Sequence, residues 1–309
     1  MERDRWLGIE VRHLAAVQAV AEEGSFGRAA ARLGYTQSAV SQQIAALERA
    51  VGVRLVERPG GPRPVSLTDA GTLLVGHARS IVSRLAAAKA DLDALSHGEA
   101  GTLRVGIYQS AGARILPRLL QRFLAEWPRV TVRLNEAGDE DLLPLVERGE
   151  LDLSFVTFPV AEGPFETVEL LRDPFVLLVH ADSELAKRDT QPGLRDLRGL
   201  PLIAWRTEPL VEGRLRVRGV EPDIVFRSDD NGIIHGLVAA GFGAALMPRL
   251  AVDPNDTGVV ALELATAITP RMVGLAWHRD RYRSPAALAF VETALVVCAE
   301  IDEERAAAA

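Results

Sequence analysis

The chain has little of what several function classes require. A single cysteine, Cys298, excludes an intramolecular disulfide and a cysteine-based metal cluster. No run of ~18 or more apolar residues occurs, so no membrane span is expected. The opening "MERDRWLGIE" is charged where a secretory leader is apolar, and a cytoplasmic protein is the expectation. Six histidines (His13, His77, His97, His180, His235, His278) show no metal-ligand spacing. His235, in an apolar helical run, reads as a satisfied helix histidine. No P-loop and no Gly-x-Ser-x-Gly elbow is present. "GFGAAL" lacks the third glycine of a dinucleotide loop and follows a helix rather than a strand. An enzyme is therefore not expected, and neither a metal nor a cofactor is called for. Lysine is nearly missing as well: 33 of 35 basic residues are arginine, which reflects genomic composition rather than a site.

What is present fits a globular protein of two or three domains, 48% hydrophobic and 25% charged over 309 residues. Net charge is −7 but unevenly spread. Residues 1–67 hold nine Arg against seven Asp and Glu, and the remainder is acidic. Only the head is suited to meet a polyanion.

The head reads as three short helices. Leu14, Val17 and Val20–Ala21 stripe the first, which Gly24 ends. Ser25 caps the second, "FGRAAARLG", which buries Phe26, Ala29, Ala30 and Leu33 and closes at Gly34. Thr36 caps the third, "QSAVSQQIAALERAV". Val40, Ile44, Leu47 and Val51 form its buried stripe. Gln37, Ser38, Ser41, Gln42 and Ala45 fall opposite, and no Lys or acidic residue lies between Glu23 and Glu48. Two short helices across a Gly-containing turn form a helix-turn-helix whose second helix enters the major groove. Amides and hydroxyls there hydrogen-bond base edges. Next, "VRLVERPGGPRPVSLT" reads as a β-hairpin-like wing, with Arg58 and Arg63 placed for phosphate or minor groove.

The run "FGRAAARLGYTQSAVSQQIAALERAVGVRLVER", followed by "VSLTDAG", resembles the winged helix-turn-helix of the LysR-type transcriptional regulators. The resemblance implies base and phosphate contacts at Gln37, Ser38, Ser41, position 42 and the wing arginine, and the expected DNA-binding set is Ser25, Thr36, Gln37, Ser38, Ser41, Gln42, Arg58 and Arg63. Gln42 stands where the family often has Arg, which removes one phosphate or guanine contact. The wing tip "PGGPRP" is a couple of residues longer than usual.

From Thr68 to about Ser96 runs a long linker helix. Leu74, Ala78, Ile81, Leu85, Ala88, Leu92 and Leu95 repeat at 4, 3, 4, 3, 4, 3, the a/d seam of a paired helix. A dimer suits DNA because two-fold protein symmetry matches an inverted repeat. The resemblance implies an antiparallel pair, and tetramers are usual for the family. "SHGEAG" marks the domain linker.

Beyond it, strand-like and helix-like segments alternate, which predicts largely parallel sheets flanked by helices. The expected domain, 97–309, has two lobes: lobe one about 102–168 and 268–309, lobe two about 169–267. The overall fold class is α/β, with an N-terminal α-rich winged head. "LRVGIYQSAGARILPRLLQRFLAEWPRVTVRL", "LVERGELDLSFV", "LRGLPLI" and "LVAAGFGAALMP" resemble the family's periplasmic-binding-protein-like effector domain. Carried over position by position, the cleft residues are Gln109, Ser110, Ala137, Gly138, Thr157, Trp205, Arg206, Thr207, Ser228, Asp229 and Asn231. Ser110 at a helix start and Arg206 favour a carboxylate. Asp229 and Asp230 welcome an amine or cap a helix. Trp205 offers a flat apolar or cation-binding face, or is a core aromatic.

The reading is a DNA-binding regulator of LysR type. Its partners are double-stranded promoter DNA, a small-molecule effector (a small acid or amino-acid-like metabolite), a second copy of itself and, by resemblance, RNA polymerase. The rival reading is a solute-binding or enzymatic α/β domain with a helical oligomerisation head. That reading predicts no salt-sensitive DNA binding.

Overall fold

The computed structural model describes residues 6–57, 64–97, 101–206, 210–265 and 268–308. Arg58, Arg63, Thr207 and the side chain of Leu95 lie outside the described set. The chain divides into two compact units, residues 1–97 with 147–150, and residues 98–146 with 151–309.

In the first unit, α1 (Val11–Glu23), α2 (Phe26–Leu33) and α3 (Gln37–Val51) pack around one core. Gly24, Gly34 and Gly52 end the three helices with left-handed φ of 60°, 71° and 81°, the conformation a β-carbon disfavours. Val40, Ile44 and Leu47 are fully buried, as their spacing predicts, while Phe26, Leu33 and Val51 are only partly so. The wing is a short antiparallel pair, β1 (Val56–Glu57) with β2 (Ser66–Leu67), in register Val56 to Leu67. It is tied down polar group by polar group. Glu48 Oε1 accepts from the Leu55 and Val56 amides at 2.8 and 3.3 Å, and the Val65 amide donates to the Gly24 carbonyl at 3.0 Å. Gly71 is required by close approach: a β-carbon there would overlap the Leu55 carbonyl.

Thr68 starts α4 (Asp69–His97), its Oγ1 accepting from the Gly71 amide at 3.0 Å. The heptad seam divides along this helix. Val75 and Ala78 are buried in the head's own core, with Leu74 packed beside them. Further on, Ile81, Leu85 and Leu92 are 48%, 55% and 63% exposed, and Ala88 is exposed too. The first turns of the seam therefore hold α4 to its own head, and only the later positions present an apolar edge.

The second unit contains two five-stranded sheets. Lobe one comprises β3 (Gly101–Ile107), α5 (Gln109–Arg114), α6 (Leu116–Glu126), β4 (Val130–Glu136), α7 (Asp139–Arg148), β5 (Leu153–Phe158) and β6 (Phe165–Asp173). Lobe two comprises β7 (Phe175–His180), β8 (Pro201–Ala204), α8 (Leu210–Val217), β9 (Asp223–Arg227), α9 (Asn231–Ala239), β10 (Ala244–Pro248) and β11 (Val259–Glu263). The chain then returns as β12 (Arg271–His278) and α10 (Pro285–Ala308) to lobe one. Strand orders are β4-β3-β5-β12-β6 and β11-β7-β10-β8-β9.

Two expectations need correction. The sheets are mixed rather than largely parallel: β12 runs against β5 and β6, and β7 against β10 and β11. A strand that enters a lobe from the crossing starts at the end where the other strands finish, so it must run the opposite way. The crossing also falls later than 168. The strand β6 pairs with β12 in the first sheet as far as Asp173, and Pro174 separates it from β7. Its glutamates and Arg172 mask its periodicity, as suits an edge strand. Phe123, Phe155 and Phe290 fill the lobe-one core, Phe123 meeting Phe290 edge to face at 5.2 Å.

Candidate functional site

The polar surface of the head is built from helix starts. Ser25 Oγ accepts from the Arg28 amide at 3.4 Å, and Thr36 Oγ1 accepts from the Ala39 amide at 3.2 Å. The Thr36 hydroxyl also lies 3.1 Å from that of Ser38. Gln37, Ser38 and Gln42 are exposed, whereas Ser41 is half-buried. Gly27 lies between Ser25 and Gln37: a β-carbon there would stand 3.8 Å from Ser25 Oγ and 3.7 Å from Gln37 Oε1. Two caps and the start of α3 thus converge on one open patch.

Around that patch, Arg32 pairs with Glu22 at 2.6 Å and Glu23 at 3.4 Å, and Arg28 with Glu23 at 3.6 Å. These pairs offset part of the positive charge of α2. Sequence reading did not single out Tyr35, 47% exposed in the turn before α3, nor Arg28 beside Ser25. The position of Tyr35 between Gly34 and the Thr36 cap was the available signal.

In the second unit, the strand ends bring together most of the cleft set. Trp205 follows β8 and donates Nε1–H to Asn231 Oδ1 at 3.4 Å. The Arg206 amide donates to Asp229 Oδ1 at 3.0 Å, leaving the Arg206 residue exposed. Ser228 is buried and accepts from the Asp230 amide at 3.1 Å. Asp230 caps α9 through the Ile233 amide at 3.0 Å, the helix-cap role weighed for it above. Gln109 joins from lobe one, its Oε1 accepting from the Asn231 amide at 2.9 Å.

Other residues are placed differently. Ser110 is buried and accepts from Arg271 Nη2 at 2.6 Å, so its oxygen is already engaged. Thr157 lies within β5, in register with Val273, rather than after the strand. Ala137 is half-buried and Gly138 exposed just after β4, where the Ala137 amide donates to the Ile107 carbonyl. His235 is satisfied as expected: Nε2 accepts from the Asp253 amide at 3.2 Å, and Nδ1 lies 3.3 Å from Asp256.

Two ion pairs escaped the sequence reading. Asp173 and Arg271 form a buried pair at 2.8 Å where the chain crosses between lobes. Burial pushes the Asp173 carboxyl up, with Arg271 opposing. Glu212 on α8 is also buried, and its carboxylate binds Arg227 at 2.5 and 3.0 Å. Arg227 in turn donates to the Trp205 carbonyl at 3.1 Å, so this pair positions the Trp205–Arg206 segment.

A capped helix with a wing, in one chain with a two-lobed domain whose polar groups gather at strand ends, is the plan of a DNA-binding regulator with an effector-binding domain. The comparisons with known proteins identify which kind. The profile described as the bacterial regulatory helix-turn-helix protein, lysR family, matches residues 11–72, and the LysR substrate binding domain matches residues 96–299. The HTH-type transcriptional regulator CbbR of Rhodospirillum rubrum is 34% identical over 278 residues, 88% of this chain and 89% of that one. The DNA-binding transcriptional dual regulator OxyR of Escherichia coli (strain K12) is 30% identical over 289 residues, 90% and 94% of the two chains. The crystal structure of full-length CbnR complexed with its target DNA superposes with a TM-score of 0.71 at 26% identity, covering 93% of this chain and 99% of that one. The chain belongs to the LysR family of transcriptional regulators, and its relatives are regulators rather than enzymes.

Two outcomes are expected. Gln37→Ala weakens binding to a specific site by about 1–3 kcal/mol while leaving the salt slope nearly unchanged, measured by fluorescence anisotropy across a salt series. An equal loss on random DNA counts against base readout. Glu212→Gln lowers unfolding free energy at neutral pH by on the order of 1–2 kcal/mol, discounted because Arg227 is partly exposed. The Arg227 hydrogen bond, against the cost of burial, holds the Glu212 carboxyl below its ordinary value of 4.5. A carboxyl lowered on folding stabilises above its unfolded pKa, and that stabilisation is lost as pH falls through the folded value. Denaturation curves of the two proteins should therefore converge in acid, and a gap that persists there removes Arg227 as the cause.

Proposed function

We propose that this regulator binds inverted-repeat promoter DNA as a homodimer, or as a tetramer built from dimers, and is switched by a small acid or amino-acid-like metabolite in the cleft of its C-terminal domain. The division of labour is a DNA-binding head (1–67), a dimerising linker helix (68–96) and an effector-binding domain (97–309). Cytoplasmic location and contact with RNA polymerase belong to the same reading.

For DNA, the supporting observation is the exposed, uncharged trio Gln37, Ser38 and Gln42 on one face of α3. That face suits hydrogen-bond readout of bases, with Ser25, Thr36 and Ser41 beside it. For the dimer, the support is the exposed edge of Ile81, Leu85, Ala88 and Leu92, apolar side chains that water disfavours. For the effector, the exposed Arg206 carries the reading. The Asp229 carboxylate accepts from the Arg206 amide and that of Asp230 from the Ile233 amide, which directs both acids toward the backbone and favours an anionic ligand group. Ligand binding shifts lobe geometry only through differential affinity for two arrangements. Two relatives are named hydrogen peroxide-inducible genes activators, but the one cysteine of this chain does not suit a response to peroxide. Cys298 is buried and its thiol is pushed up to about 12, chiefly by desolvation, so little thiolate forms at neutral pH.

A thermal-shift panel of small acids, amino acids, amines and aromatics tests the cleft. An acid or amino acid raises Tm with concentration, and Arg206→Ala abolishes the rise. A shift that survives Arg206→Ala moves the ligand elsewhere. Leu85→Glu tests the seam: sedimentation equilibrium should show a fall in molecular mass, and an unchanged mass refutes dimerisation through this edge.

A further inference from the structure

The helix α5 is only six residues long, yet polar groups along it reach beyond its own lobe. At its start, Gln109 Oε1 accepts from the Asn231 amide of lobe two at 2.9 Å. At its end, Arg114 donates twice to the Val252 carbonyl, at 3.1 and 2.7 Å, and pairs with Asp253 at 3.2 Å. His235 accepts from the Asp253 amide, which fixes that anchor to α9. Between the two ends, Ser110 accepts from Arg271. Arg271 is bound to Asp173, whose other oxygen accepts from the Leu250 amide of lobe two at 2.9 Å.

These attachments differ in strength for plain reasons. The Arg114 end has two hydrogen bonds from a cation to one carbonyl and a charge partner, partly shielded from water. The Ser110 bond is charge-assisted and buried. The Gln109 bond is one neutral hydrogen bond made by an exposed side chain. Of these attachments the Gln109 bond is the weakest, so a change of lobe angle costs least there.

We propose that Gln109 is a releasable latch between the lobes, and that Arg114, with the buried Asp173–Arg271–Ser110 chain, is the fixed pivot. The latch rests on the reading of this cleft as the effector site and specifies how that site is regulated. Gln109 holds one lobe angle, and a ligand engaging Gln109 or the start of α9 removes the restraint. Gln109 acts through Asn231 and is a positioning residue.

The test needs no effector. Cysteines replacing the exposed Glu140 in lobe one and Val217 in lobe two carry spin labels for pulsed EPR distances. The native Cys298 is buried with a thiol pushed up to about 12, so it stays unlabelled. In the full chain, Gln109→Ala should broaden the interlobe distance distribution, and exchange of the Asn231 amide should rise about fivefold, the factor one neutral hydrogen bond supports. Gln109→Glu, which puts a charged acceptor at the same reach, should narrow the distribution and slow the exchange at least to the values of the unmutated protein. An interlobe distribution unchanged in Gln109→Ala overturns the latch, even if the amide exchanges faster. If the thermal-shift panel is silent while Gln109→Ala broadens the distribution, the latch stands and the metabolite assignment falls.

Discussion

Asp173 and Arg271 sit where the chain leaves lobe one and where it comes back, and their ion pair is closed off from water. A charge buried without a partner is costly, so each residue constrains the other to remain at the crossing. Through its two oxygens Asp173 joins the return strand β12 to the Leu250 amide of lobe two. Through its second nitrogen Arg271 reaches Ser110 at the start of α5. Strand polarity in both sheets follows from the same crossing, because β7 and β12 each begin there and run against their neighbours. Cleft and crossing are therefore one polar system rather than a site placed on an indifferent scaffold.

The head obeys a different constraint, close backbone approach under polar ties. Gly71 lets the first turn of α4 lie against the Leu55 carbonyl, and Glu48 satisfies two wing amides from the reading helix itself. Wing and α3 are thereby tied to each other through these amides. The face of α3 that remains outward carries amides and hydroxyls, while its inward stripe is wholly aliphatic.

Local rules made much of this legible in advance. Glycines placed the ends of α1, α2 and α3, and hydroxyl caps placed the starts of α2 and α3, because capping is decided within a few positions of chain. The seam of α4 was legible as a repeat, but its division was not. Periodicity records which side is apolar, and only packing shows that Leu74 and Ala78 face the head while Leu85 and Leu92 do not. Likewise, β6 went unread because Glu166, Glu169 and Arg172 interrupt its pattern, and its strand character comes from pairing with β12 about a hundred residues later.

By itself, the sequence determined the three-helix head, the uncharged outward face of its third helix, the long helix, the two-lobed α/β plan and the family resemblance, since each depends on spacing or on short contiguous motifs. Tertiary structure alone decided which charges meet. The partnerships of Asp173 with Arg271 and of Gln109 with Asn231 span 98 and 122 positions. It also turned Ser110 toward Arg271 and Asp229 toward the Arg206 amide, assigning to internal bonds groups whose type alone suggested ligand contact. The physical reason is common to both: a side chain's chemistry is local, but the partner that satisfies it is fixed by where the rest of the chain has folded.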